Sequence, residues 1–202
     1  MNEVDQVKTE PLDPQREARR QLALGQIRQY PDPALRMRAN EVESFDEDLT
    51  GLVERLIALM QDANGVGLAA TQIGILRRVF VFRPNGGHAD DDEETESEAE
   101  PEPPRALVNP RIVDASDETE ADDEGCLSLQ GVQVPVERNV KVTVEAADPE
   151  GNAVKLEFDG HPARIVQHEI DHLDGILLLD RTTPEARREA LGVLRPQASV
   201  RP

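Results

Sequence analysis

The sequence predicts a single α+β domain, and three observations carry that reading. Apolar residues recur at helical spacing in a few separated stretches, short alternating segments lie between them, and no regular strand–helix–strand alternation appears. The 202 residues suffice for one domain of ordinary size with a real core. With 2% aromatic residues and no Trp, that core must be built mainly from Val, Leu, Ile and Ala.

The elements follow in order. Residues 1–25 are polar with two prolines and read as a flexible tail, carrying a short helix over Pro14–Leu24 that Asp13 caps. The catalytic part is expected from residue 26 to 202. "IRQYPDPALR" reads as an extended lead-in broken by prolines. In "EDLTGLVERLIALMQDANG", Leu49, Leu52, Val53, Leu56, Ile57 and Met60 keep helical spacing, and Asn64-Gly65 stops the helix. "RRVFVF" is a strand, "ALVNPRIVDAS" resumes extended structure, and "VKVTVEAADPEGNAVKLEFDG" is a hairpin turning at "DPEGN". A helix starts near Pro162 and stops at Gly175. "ILLLD" reads as a short buried strand, and a last helix follows Thr183 and Pro184.

The net charge of −19 is partly local. Residues 90–102 hold nine acidic side chains and no basic one, so residues 86–104 are expected as a disordered acidic insertion. The rest of the chain is acidic too, which disfavours direct contact with nucleic acid. No apolar run is long enough to span a membrane, and no charged-then-apolar stretch reads as a leader, so a cytoplasmic protein is expected. Cys126 is the only cysteine, which rules out an intrachain disulfide.

Three stretches carry chemistry. In "QHEIDHL", His168 and His172 stand four apart, so on a helix both imidazoles share one face and can hold one metal ion. Val166, Ile170 and Leu173 form a separate apolar stripe, which leaves the histidines beside the packing face. A catalytic centre usually takes three protein ligands and keeps one position open. Cys126, in the turn-prone "EGCLS", is the candidate third ligand, although a free cysteine is commonly a small buried hydrophobe. A bound cation would deprotonate its thiol despite the acidic approach Asp122-Asp123-Glu124. Glu169 then adjoins the ligands without being one, which suits a general base; otherwise it is a solvated helix charge. "GVGLAATQIG" is Gly-rich and apolar around one polar side chain, Gln72. It reads either as a turn and strand with Gln72 bonded to a loop, or as a rim where a peptide pairs by strand addition while Gln72 faces a carbonyl oxygen.

Together "GVGLAATQ", "EGCLS" and "QHEIDHL", in this order, resemble the peptide deformylase family, with "YPDPALR" and the preceding helix as further likenesses. The resemblance spans about residues 26 to 190. It implies antiparallel or mixed β-sheets around a central metal-binding helix. It also implies an enzyme that removes the formyl group from the N-terminal methionine of new chains, a metal-bound water attacking the formyl carbon. By position, Cys126, His168 and His172 correspond to the metal ligands and Glu169 to the general acid/base. Gln72 and the Leu127 N–H correspond to oxyanion donors, and Val66 and Gly67 to the segment that pairs with the substrate backbone. The metal implied is one divalent ion per chain, Fe(2+) with Zn(2+), Ni(2+) or Co(2+) able to substitute; an N/S ligand set suits several of these. The implied partners are formyl-Met nascent peptides and, transiently, the ribosome, with a monomer expected. Two positions depart from the pattern: Gln133, where some members carry arginine, and His161, where others are apolar. The competing reading is a zincin-type metallopeptidase, whose third ligand lies downstream of the helix. No histidine follows His172; Asp174 and Asp180 are weak substitutes.

Overall fold

The computed structural model describes residues 13–85 and 102–194. The first helix, α1 (Pro14–Leu24), begins where Asp13 accepts the Gln15 N–H at 3.0 Å and Pro14 supplies a preset φ. Its Ala23 is buried against the next helix, so the described part of the segment expected as a tail is a packed helix; residues 1–12 lie outside the described residues. The lead-in is not wholly extended: Pro33–Arg36 close a 3₁₀ turn capped by Asp32. The second helix, α2 (Glu47–Asp62), runs as the apolar spacing requires, with Leu49, Leu52, Val53, Leu56, Leu59 and Met60 buried. It ends at Ala63 and is followed by Asn64 at φ 55°.

Among the described residues seven strands follow: β1 (Gly67–Ala69), β2 (Val79–Phe82), β3 (Arg105–Ala115), β4 (Thr119–Gly125), β5 (Gln133–Asn139), β6 (Lys141–Ala147) and β7 (Ala153–Asp159). Five form one antiparallel sheet in the order β1-β2-β3-β6-β7, and β4 pairs with β5 in a second. The uninterrupted apolar run of β2 has a simple cause. Val79 and Val81 join the core under α2, whereas Phe80 and Phe82 face the core of the third helix, α3 (His161–Leu173). Both faces are covered, so no position can be polar.

The last described residues form two helices, α4 (Leu178–Arg181) and α5 (Pro184–Leu194). The strand expected at "ILLLD" is therefore a short helix. Leu177, Leu178 and Leu179 are all buried with β5 and α5, and Asp180 accepts the Leu177 N–H at 2.9 Å, closing the helical turn. A short buried apolar run carries no periodicity that separates helix from strand. The acidic insertion lies outside the described residues except for its last three, where Glu102 accepts from Arg105 at 2.9 Å. Among the described residues no helix is long and apolar enough to cross a membrane.

α3 is central to the fold, wrapped between the large sheet and the β4–β5 hairpin. Its apolar stripe is buried as expected, but the opposite side is not solvated. Arg164, Gln167, Glu169, Asp171 and His172 are buried as well. The histidines thus lie inside an enclosed polar layer, because the β4–β5 pair covers that side. The exit from α3 needs Gly175: its φ is 74°, and a Cβ there would lie 2.5 Å from the Arg36 carbonyl oxygen.

Candidate metal centre

One turn of α3 brings the His168 and His172 rings to a centroid separation of 4.9 Å, with their Nε2 atoms 3.2 Å apart. Cys126 reaches them from the turn after β4, its Sγ 3.2 Å from His172 Nε2. The turn is fixed by the Leu129 N–H donating to the Cys126 carbonyl at 3.0 Å, and by the Ser128 N–H donating to Sγ at 3.4 Å. One sulfur and two imidazole nitrogens lie within 4.8 Å of one another, a set that could hold a single metal ion. Burial pushes the His172 pKa well below its ordinary value. For His168 burial acts the same way, but the hydrogen bonds with Cys126 and Glu124 outweigh it and hold the pKa well above, so binding a cation would have to displace a proton from that ring.

Behind these three candidate ligands stands a layer that sequence reasoning missed. Glu124 accepts from His168 Nδ1 at 2.9 Å, which turns that ring's Nε2 toward Cys126 and His172. It also accepts from Arg138 at 2.9 and 3.0 Å and from Arg164 at 2.9 Å. Burial alone would push the Glu124 carboxyl up, but the hydrogen bonds from His168 and Arg138 outweigh it and hold it far below the usual carboxylate range. Arg138 continues to Asp171, which Arg181 also clasps at 3.0 and 2.6 Å. A signal did exist. Val134, Val136 and Arg138 fall on one face of β5, and an arginine on a buried face needs a carboxylate partner.

Glu169 is 4% exposed, and burial pushes its pKa up to about 7. Gly67 allows this placement: a Cβ there would meet Glu169 Oε1 at 2.4 Å. The other oxygen, Oε2, has no hydrogen-bond partner among the described residues. Gln72 lies on a 3₁₀ turn, Ala70–Ile73, rather than on a strand. Its Oε1 accepts the Ala69 N–H at 2.8 Å, and its Nε2 donates to Ser128 Oγ at 3.1 Å and faces Cys126 Sγ at 3.7 Å.

A cleft of about 630 Å³ opens over this cluster, and Val66, Gly67, Gln72, Leu127 and Glu169 line it together with Cys126 and His168. His172 lies just behind, 2% exposed. Gln133 and His161, the two departing positions, also line the cleft. β1 is the outer strand of its sheet, and the Val66 carbonyl before it accepts the Arg83 N–H at 2.8 Å. The downstream acids that a zincin would need are engaged elsewhere: Asp174 pairs with Arg78 at 2.7 Å, and Asp180 with Arg36.

A His₂Cys set beside a buried, unpaired carboxylate at the floor of a cleft defines a mononuclear metal-dependent hydrolase rather than a zincin. The polypeptide deformylase family model matches residues 24–188, and the chain belongs to that family. It is 42% identical over 161 residues to a peptide deformylase of Thermotoga neapolitana, covering 80% of this chain and 88% of that one. It is 43% identical over 176 residues to one from Acidothermus cellulolyticus, covering 86% and 87%. The fold agrees with a crystal structure of a peptide deformylase from Legionella pneumophila, at TM-score 0.72 and 39% identity over 83% of this chain and 91% of that one.

Proposed function

We propose that this chain hydrolyses the N-formyl group of formyl-methionine on newly made polypeptides, with Cys126, His168 and His172 holding one divalent metal. The observation that carries the reading is the convergence of those three ligand atoms beside the buried carboxylate of Glu169. When bound, a divalent ion supplies Lewis acidity that brings a water's pKa from 15.7 toward ~7. Fe(2+) is the ion proposed, with Zn(2+), Ni(2+) or Co(2+) able to take its place.

The chain's own groups do the rest. Val66 and Gly67, at the start of the outer strand, take the substrate backbone by strand addition, which aligns the formyl group over Glu169. Glu169 takes a proton from the attacking water as the new C–O bond forms. Gln72 Nε2 and the Leu127 N–H donate to the oxygen that gains charge. Glu169 then hands its proton to the departing nitrogen, the C–N bond breaks, and formate leaves with a free α-amine on the methionine. The enzyme is placed in the cytoplasm as a monomer that meets nascent peptides, with transient ribosome contact. The roles are tested by anaerobic purification with metal analysis and a formyl-Met-peptide hydrolysis assay. One metal per chain and formate release are expected; Cys126→Ala should retain no metal, and stoichiometric retention would overturn the ligand set.

A further inference from the structure

Two of the described cleft-lining residues carry a guanidinium, Arg164 and Arg20, and their situations differ. Arg164 is 7% exposed and donates to Glu124 at 2.9 Å and to the Val136 and Glu120 carbonyls at 2.8 Å each. It is a strut of the buried layer. Arg20 comes from α1, which lies almost wholly before the start of the family match at residue 24. Among the described residues it forms an ion pair with Glu17, at 3.8 Å, with the two side chains 39% and 38% exposed. A pair so long and so open contributes little, so the Arg20 fork remains available to another carboxylate.

The helix that carries Arg20 is tied to both walls of the cleft. Just after it, the Arg28 N–H donates to the Gln72 carbonyl at 2.7 Å and the Tyr30 N–H to the Ser128 carbonyl at 2.9 Å. Gln29 Nε2 donates to the Leu127 carbonyl at 3.0 Å. Ala23 and Ile27 are buried under α2, and Arg55 donates to Gln26 at 3.3 Å. Arg20 is therefore a cation held at the mouth of the site, in a chain whose net charge of −19 otherwise repels acidic ligands.

We propose that Arg20 is a specificity-determining residue that favours formylated chains with Asp or Glu soon after the methionine, its guanidinium pairing with their side-chain carboxylate at the cleft mouth. This rests on the deformylase reading of the site. Arg20 has no part in the bond-making steps; its contribution is to substrate binding, so it belongs in KM rather than in kcat.

The test compares formyl-Met-Asp-Ala, formyl-Met-Ala-Ala and formyl-Met-Lys-Ala, all C-terminally amidated so that the side chain is the sole carboxylate. The metal-loaded full chain should show kcat/KM for the Asp peptide about two- to fivefold above the Lys peptide, the size of one exposed charge pair. The difference should sit in KM and shrink at high salt. Arg20→Lys should keep most of that ratio, Arg20→Gln should bring it to one or below, and Arg20→Glu should invert it. An unchanged ratio in Arg20→Gln, or no preference in the parent chain, overturns the proposal. Hydrolysis of the Ala peptide by the parent chain tests the deformylase reading separately. If that peptide is not cleaved, the same Asp-to-Lys ratio is read from equilibrium binding of the three formyl peptides, and its absence again overturns the proposal.

Discussion

α2 and α3 pack on opposite faces of β2, yet they keep their places by different physics. α2 buries one apolar stripe and leaves its other side to solvent, so its attachment is a sum of small, additive contacts. α3 buries its apolar stripe and its polar side alike. That polar side is stable only because Glu124, Arg138, Asp171 and Arg164 satisfy one another. The contrast teaches that a scaffold helix can be read from its own spacing, whereas a site helix is completed by residues far away in sequence.

The largest expected effect tests whether the polar side of α3 serves chemistry rather than cohesion. Glu169→Ala should keep the metal and the fold and lose turnover toward ~10⁴-fold, because no other described group is placed to move both protons. Gln72→Ala should also keep the metal but lose only about 10²–10³-fold, since the Leu127 N–H remains as a donor. Metal content and kcat measured side by side decide the matter, and a milder effect from Glu169→Ala would reverse the assigned roles.

Smaller effects sharpen the contrast in stability. Arg138→Ala removes the cation that the buried Glu124 and Asp171 share, leaving Arg164 and His168 on the first and Arg181 on the second, and should cost up to about 3–5 kcal/mol. It should also weaken metal affinity about 10–100-fold through the slackened His168. Leu56→Ala in α2 should cost about 2–5 kcal/mol by leaving a cavity, with metal affinity of the folded protein unchanged. Denaturant unfolding and metal titration of both variants check this, and equal metal affinities would erase the distinction between the two helices. The smallest effect is expected from deleting Asp90–Glu102. Self-repelling acidic residues add little packing, and loop length costs only slowly in entropy, so the melting temperature and turnover should stay close to those of the full chain.

The same contrast explains what could be read in advance. α2, the β6–β7 hairpin, the extent of α3 and the three chemical motifs were legible because each announces itself within about twenty residues. Leu177–Leu179 were misread because three buried leucines fit either backbone, and it took the Asp180 cap to choose the helix. β4 was not seen as a strand because six of its seven residues are exposed and four are acidic; pairing with β5 makes it one. Glu124 reads in the sequence only as part of the acidic approach to Cys126. Its role comes from Arg138, fourteen residues on, and His168, forty-four residues on, at distances that no local window spans.

The placement of Cys126 has a practical corollary. As the only thiol in the chain, it has no intramolecular partner with which to form a protective disulfide, so oxidation proceeds up the sulfenic, sulfinic and sulfonic series. Under the proposed ligand set, damage at that single atom and loss of the one bound ion become one event. The same uniqueness makes the protein its own gauge: an alkylating reagent counts at most one label per chain, and under the proposed ligand set the labelled fraction should report how much of the preparation has lost its cation.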